Sequence, residues 1–211
     1  MADFDVSKRK RFLLSPGQSR KTREAALVRA ARDGFDTLVV PLGEFPFRDV
    51  SLLTLAAQYT LDIEAGGREL SSLIPRRLFF FHRDLFRMEE GRRIKTGLFC
   101  PTNPDTLALL QKNAAGLFSK AGPARVTIFH LWPEPGAEGH WCSCPSCRAF
   151  SPEEQNLIAI NAVADTLKKI NPQALLSYYE PPNETREQSD TQAGYIAPRP
   201  NTFRLSTLPE R

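Results

Sequence analysis

The sequence predicts an α/β fold with a parallel sheet: an incomplete (β/α)8 barrel, TIM-barrel-like, with about six parallel strands. Three observations predict it. Short β-rich runs alternate with helical periods, and the units recur at roughly 30–40 residues, the pattern of βαβ crossovers. No G-x-G-x-x-G follows the first strand, so a dinucleotide-binding sheet lacks its fingerprint. A full barrel takes about 250 residues, whereas this chain has 211. We therefore read residues 1–211 as a single domain holding most of a barrel.

The elements follow in order. Arg11 to Leu14 is a first strand, closed by the turn signal Ser15-Pro16-Gly17. Arg20 to Asp33 has helical spacing, with Leu27, Val28 and Ala31 on one side and Gly34 placed to end it. Phe35 to Leu42 is dense in β-branched and aliphatic residues, as a buried strand requires. Val50 to Tyr59 reads as a helix, and Thr60 to Glu64 as a strand ending at Ala65-Gly66-Gly67. The stretch from Arg68 to Pro101 is irregular, with eight basic and four acidic residues, and its apolar knot Leu78-Phe79-Phe80-Phe81 is a candidate strand. A loop of this length inside a compact domain is usually functional.

Asn103-Pro104-Asp105 opens a helix whose Leu107, Leu110, Ala114 and Leu117 keep helical spacing. Arg125 to Trp132 is the clearest strand. Ser151-Pro152-Glu153-Glu154 is a capping box, and the helix it opens runs to Ile170 with Ile160, Val163, Ala164 and Leu167 on one face. Ala174 to Tyr179 and Thr202 to Ser206 complete the strands. Between them, residues 181–200 are polar and proline-rich and read as an exposed loop. Residues 1–10 read as a flexible basic tail.

Composition narrows the function. With 41% hydrophobic and 25% charged residues, the chain is that of a folded globular protein, not a disordered one. No apolar run approaches the roughly 20 residues of a membrane span. The opening MADFDVSKRKRFLLSPGQ has no apolar segment followed by a cleavage site, so the expected location is cytoplasmic. Residues 1–35 carry nine basic and four acidic side chains, a net of +5, so the remainder sums to −1 against the total of +4. The cluster Lys8 to Arg11 has no continuing basic stripe, which argues against nucleic acid.

In a barrel, ligand and catalytic groups sit where strands end. Glu64, Glu134 and Glu180 each lie at or just past an expected strand end, beside Gly, Pro or aromatic residues. Paired carboxylates of this kind hydrolyse glycosidic bonds, one as a protonated acid and one ionised. A loop-entry glutamate can equally be solvated or cap a helix. The aromatics Trp132, Trp141 and Tyr178 cluster at the same end and are candidate sugar platforms, though core packing is their commoner use. Tyr178 and Tyr179 point to opposite faces, so at most one can serve. His82 is a further candidate contact, with a hydrogen-bonded core position as its plainer alternative, as for His130.

Cys142, Cys144 and Cys147 form C-x-C-x-x-C after His140. Soft ligands at this spacing can share one Zn²⁺ in a structural site. Either Cys100 or His140 can supply the fourth ligand, and reduced structural thiols are the alternative. No cofactor is expected for the catalysis itself.

The runs IEAGGRELSSLIPR, FFFHRDLFRMEEGRR, LFCPTNPD and HLWPEPGAEGHWCSCPSCRAFSPEEQ, with the helix after them, resemble the family 4838 domain of unknown function from about Leu61 to Glu180. That family is similar to barrels of the α-glucuronidase and β-hexosaminidase kind. The resemblance implies a carbohydrate partner, a sugar site at the C-terminal face and glycoside hydrolase-like activity, or a non-catalytic carbohydrate-binding domain on the same scaffold. Related sequences carry an acidic pair after the Trp-Pro of strand four; here Glu134 is followed by Pro135, and Glu138 is the nearest replacement. A partial barrel leaves open sheet edges, so a second copy or a partner chain is expected to cover them.

Overall fold

The computed structural model describes residues 6–44, 50–121, 126–137, 140–179 and 196–209. Six parallel strands form a curled half-barrel. They are β1 (Arg11–Leu13), β2 (Thr37–Val40), β3 (Asp62–Gly67), β6 (Ile128–Leu131), β7 (Leu175–Tyr179) and β8 (Thr202–Leu205). Their order in the sheet is their order in the chain, and all five pairings are parallel. Helices α1 (Arg20–Arg32), α2 (Val50–Gln58), α3 (Pro104–Ala121) and α4 (Pro152–Ile170) fill the crossovers.

The helix boundaries follow from their caps. Ser19 accepts the Thr22 N–H at the start of α1, and Gly34, at φ +77°, follows its end. The side-chain oxygen of Asn103 accepts the N–H groups of Asp105 and Thr106 ahead of α3. Ser151 and Glu154 make the reciprocal capping box of α4, which satisfies two of its otherwise orphaned donors. The buried stripe of α3 is Thr106, Leu110, Ala114, Phe118 and Ala121; Leu107 and Leu117 flank it, half-buried.

Strand alternation gives the sheet two faces with different jobs. Phe12, Leu38, Ala65, Phe129 and Leu176 join the helices in the main core. The opposite, inner face holds a separate apolar cluster of Leu13, Val39, Trp132 and Leu205. Leu13 and Leu205 come from the two ends of the strand order. The Arg11 guanidinium likewise lies 5.6 Å from the centre of the Phe203 ring. The sheet therefore curls until its first and last strands face each other across the inner side.

Three expectations change. The strand expected to stop at Glu64 runs on to Gly67, because glycine tolerates the φ of +120° found at Gly66 and lets β6 approach. A Cβ at Gly66 would lie 2.0 Å from the His130 carbonyl oxygen. The knot at Leu78–Phe81 is no strand: Arg76–Phe80 forms a 3-10 helix, and the strands of this stretch are the short antiparallel pair β4 (Met88–Glu89) and β5 (Arg92–Arg93). The turn between them places Glu90 and Gly91 at φ +48° and +78°, the backbone of a tight hairpin. Finally, residues 6–10 are no free tail. Val6–Lys8 is a 3-10 helix, Val6 O accepts from Arg11 at 2.5 Å, and Arg9 pairs with Asp62 at 2.9 Å. In the polar loop 181–200, residues 181–195 lie outside the described residues, and its end is tied to α4 by Asn161, which donates to Ala197 O at 2.9 Å.

Candidate functional site

The C-terminal ends of β3 and β6 are stitched together beyond the sheet. Trp132 N–H donates to Gly67 O at 2.8 Å, and Leu70 N–H donates to Trp132 O at 3.1 Å. This brings the segment after β3, with Glu69 and Ser71, beside the segment after β6, with Glu134. Between them opens a cleft of about 510 Å³, lined by Ser71, Arg76, Arg87, Gly97, Glu134 and His140 among others.

Glu134 is the only carboxylate lining this cleft among the described residues. One of its oxygens accepts from the Ser71 hydroxyl. Its other oxygen is buried without a hydrogen-bond partner, an arrangement that costs free energy unless a ligand or water completes it. Ser71 in turn accepts from Arg76 Nη2 at 2.6 Å. Glu69, which the sequence reading passed over, sits close behind. Burial pushes its carboxyl above the ordinary carboxylate range, the N–H groups of Leu42 and Gly43 oppose that, and the nearby charges of Glu44 and Glu134 add to it. The signal for Glu69 was its position two residues past Gly67, hidden by taking the strand to end early.

Glu64 lies elsewhere. It is mid-strand, on the inner face, and buried. Its carboxylate accepts from Arg11 Nε at 2.6 Å, Arg9 Nη1 at 3.2 Å and His130 Nε2 at 2.6 Å. Burial pushes the Glu64 carboxyl up, but the hydrogen bonds and charges of His130 and Arg11 outweigh this and hold it below its ordinary value. The network extends through Ser177, whose hydroxyl meets His130 Nδ1 at 2.5 Å and accepts from Trp132 Nε1 at 2.9 Å. Glu64 thus organises the barrel interior and does not enter the cleft. Glu180 and Glu138 lie outside the described residues.

The aromatic candidates are also interior. Trp132 is fully buried, Trp141 packs edge-on against Phe99 at 5.8 Å, and Tyr178 belongs to the helix-side core. Burial of these rings wins over exposure because each carries a large apolar area. His82 is exposed on the long segment. Among the described residues, the most exposed rings are Phe80 and Phe81, 67% and 84% exposed.

The cysteines converge. The sulfurs of Cys100, Cys142, Cys144 and Cys147 all lie within 4.8 Å of one another, and all four residues are buried. Cys100 Sγ is 3.7 Å from that of Cys144 and 3.6 Å from that of Cys147. Tetrahedral Zn–S bonds of about 2.3 Å would set sulfurs about 3.8 Å apart. Met88 N–H also points at Cys142 Sγ, at 3.2 Å. Cys100 rather than His140 completes the set: His140 is exposed and lines the cleft instead. Such a cluster can bind a metal ion. It would clasp three pieces of chain, because Ser143 also donates twice to Met88 O, at 2.8 Å each time.

The half-barrel, with parallel strands in chain order, defines a class of scaffold, that of TIM-barrel folds. In particular, the chain is similar to a GH20 catalytic module of the pneumococcal exo-β-D-N-acetylglucosaminidase, with a TM-score of 0.62 at 8% identity over 94% of this chain. This chain spans 59% of that one. The GH36 α-galactosidase AgaB from Geobacillus stearothermophilus aligns over 83% of this chain and 28% of its own, at 13% identity and a TM-score of 0.49. At these identities the likeness is one of fold. No protein-family model matches the chain, and no curated protein matches it significantly. Among the described residues, no helix is long and apolar enough to cross a membrane.

Proposed function

We propose that this chain is a glycoside hydrolase-like barrel domain, of the family 4838 type, that takes a saccharide in the cleft beyond β3 and β6, with Glu134 as its acid/base group. The observation that carries the reading is the condition of Glu134: one oxygen positioned by Ser71, the other buried and unsatisfied. A carboxyl with an open hydrogen-bonding position in a cleft can hand a proton to a leaving oxygen. The fold likeness supports the assignment as analogy only. For the second carboxylate we propose Glu180, which follows β7 directly in the chain, with Glu69 as the alternative. Glu64 is left out because Arg9, Arg11 and His130 already occupy it.

Zinc in the four-cysteine cluster belongs to the same proposal, as a structural ion bracing the segment that carries Glu134. Four free thiols suit a reducing compartment, hence a cytoplasmic location. A second copy covering the edges at β1 and β8 completes the reading.

One observation favours a second reading, a carbohydrate-binding domain without catalysis: glycoside hydrolysis takes two carboxylates, and Glu134 alone lines the cleft among the described residues. The test is hydrolysis of a panel of aryl glycosides and polysaccharides by wild type and Glu134→Gln. Under the hydrolase reading the variant loses roughly 100-fold or more while still binding sugar. Binding with no turnover by either protein supports the second reading, and equal turnover by both removes Glu134 from the chemistry.

A further inference from the structure

We infer that the cleft holds a built site for an anionic group, a carboxylate or a sulfate carried on a sugar ring, formed by the converging guanidinium groups of Arg76 and Arg87. The inference rests on the saccharide reading and names the class of saccharide.

Three consecutive backbone carbonyls hold the two arginines. Lys95 O accepts from Arg76 Nη1 at 3.0 Å, Thr96 O accepts from Arg87 Nε at 3.2 Å, and Gly97 O accepts from Arg76 Nη2. Gly97 is at φ +76°, and a Cβ there would lie 3.0 Å from Arg87 Nε. The absence of a side chain is what lets Arg87 lie against the turn. Both arginines line the cleft together with Glu134 and His140.

Holding two cations this way is unfavourable without an anion. Burial lowers the Arg76 pKa; Glu134 opposes that, and the charge of Arg87 adds to it. Glu89 takes Arg87 Nη2 at 3.1 Å, but its side chain is 46% exposed and the pair is partly screened by solvent. Arg87 Nη1 has no hydrogen-bond partner among the described residues. A planar fork of N–H groups matches a carboxylate or sulfate in charge and geometry. A neutral sugar would leave Arg76 with Glu134 and Arg87 with Glu89 as their counter-charges and Arg87 Nη1 unused.

The experiment measures affinity of the full chain for four probes: a galacturonic acid tetramer, a sulfated galactan tetramer, a neutral cello-tetramer and inorganic sulfate. One charged tetramer is expected to bind at least about tenfold more tightly than the neutral one, the scale of a charge-assisted hydrogen bond. Arg87→Gln should abolish that preference and Arg87→Lys, which keeps the charge but not the fork, should weaken it. If Arg87→Gln does not fold, Arg87→Lys carries the comparison. Tighter binding of the galacturonate assigns a carboxylate, and tighter binding of the galactan assigns a sulfate. Equal binding of neutral and charged tetramers overturns the anion site and leaves the saccharide reading standing. Inorganic sulfate binding as tightly as the sulfated tetramer leaves an anion fork but overturns the sugar-borne ligand. No binding of any probe overturns both.

Discussion

His130 and Glu64 share a hydrogen bond of 2.6 Å between Nε2 and Oε2, sealed inside the half-barrel. The neighbouring bonds fix the protons. The Glu64 carboxylate can only accept, so neutral His130 turns its N–H to it and takes the Ser177 O–H at Nδ1, while the Ser177 oxygen accepts from Trp132 N–H. The ring then carries its proton on Nε2 and donates it to the Glu64 carboxylate. Arg11 Nε shares the same carboxylate oxygen, and Arg9 Nη1 takes the other. A barrel with its floor tied in this way holds β1, β3, β6 and β7 in one register.

This network predicts acid lability. Burial lowers the His130 pKa below 6.5, with the Arg11 charge adding to it against the pull of Glu64. The unfolded chain therefore takes up the proton first, and the stability contributed by neutral His130 is complete above about pH 6.5 and declines below it. Glu64, held below its ordinary 4.5, contributes stability that is present above that value and is lost as pH falls through its folded pKa. The two slopes have the same sign. Thermal unfolding midpoints should fall steadily from about pH 6.5 downward, and His130→Gln should flatten the first part of that decline. A midpoint unchanged between pH 7 and pH 5 (roughly the range where histidine titrates) would contradict the assignment.

Gly66→Ala tests the approach of β3 and β6. The added carbon would lie 2.0 Å from the His130 carbonyl oxygen, a backbone atom that cannot swing aside. The strands must part, at a cost of about 3 kcal/mol or more, read as a lower denaturation midpoint. Gly136→Ala makes a control that also carries a positive φ, +77°, but with nothing within 4 Å of the added carbon; it should cost only about 1 kcal/mol.

Much of this fold was legible because local signals agreed. The capping box at Ser151, the aliphatic runs of β2 and β6, and the cysteine spacing each require one local arrangement. What was hidden was long-range. Gly66 and Gly67 look like a turn in sequence, and only the neighbouring strand reveals why glycine is needed inside β3. That misplaced end put Glu64 at the mouth of the site and left Glu69 unnoticed. Trp132, Trp141 and Tyr178 were read as a rim because they cluster at strand ends, yet apolar area drew all three inward. Ser71, Arg76 and Arg87 carry no signature in sequence, and their convergence on Glu134 and Gly97 is purely tertiary.

The cysteine cluster predicts one zinc per chain with Cys100 as its fourth ligand. Metal content of purified Cys100→Ser should drop well below that of wild type, whereas His140→Ala should keep its zinc, because His140 is exposed and lines the cleft. Chelation of the wild-type protein should loosen residues 142–147 together with the Met88 hairpin, seen as faster amide exchange there. Retention of zinc by Cys100→Ser would reassign the ligand, and a protein purified without metal would leave the thiols as packing alone.

Ser71 links the cleft's acid to its cations, accepting from Arg76 at 2.6 Å and donating to Glu134. It is buried, and it stands two residues past Glu69, so its place is set by the same stitch between Gly67 and Trp132 that aligns β3 with β6. Under the hydrolase reading proposed above, its role is to position Glu134 rather than to touch the reacting bond. Ser71→Ala removes the hydrogen bond that holds one Glu134 oxygen, the other having no partner already, and frees the carboxyl to rotate out of position. Turnover should then fall about 10- to 100-fold, the cost of misplacing a reacting group, while the affinity for sugar changes little. Stability should drop by about 1–3 kcal/mol, as for two lost hydrogen bonds. Ser71→Thr, which keeps the hydroxyl, should restore most of the rate. A Ser71→Ala protein that loses affinity and stability but not turnover would make Ser71 a packing residue, and the positioning of Glu134 would then have to come from elsewhere in the cleft.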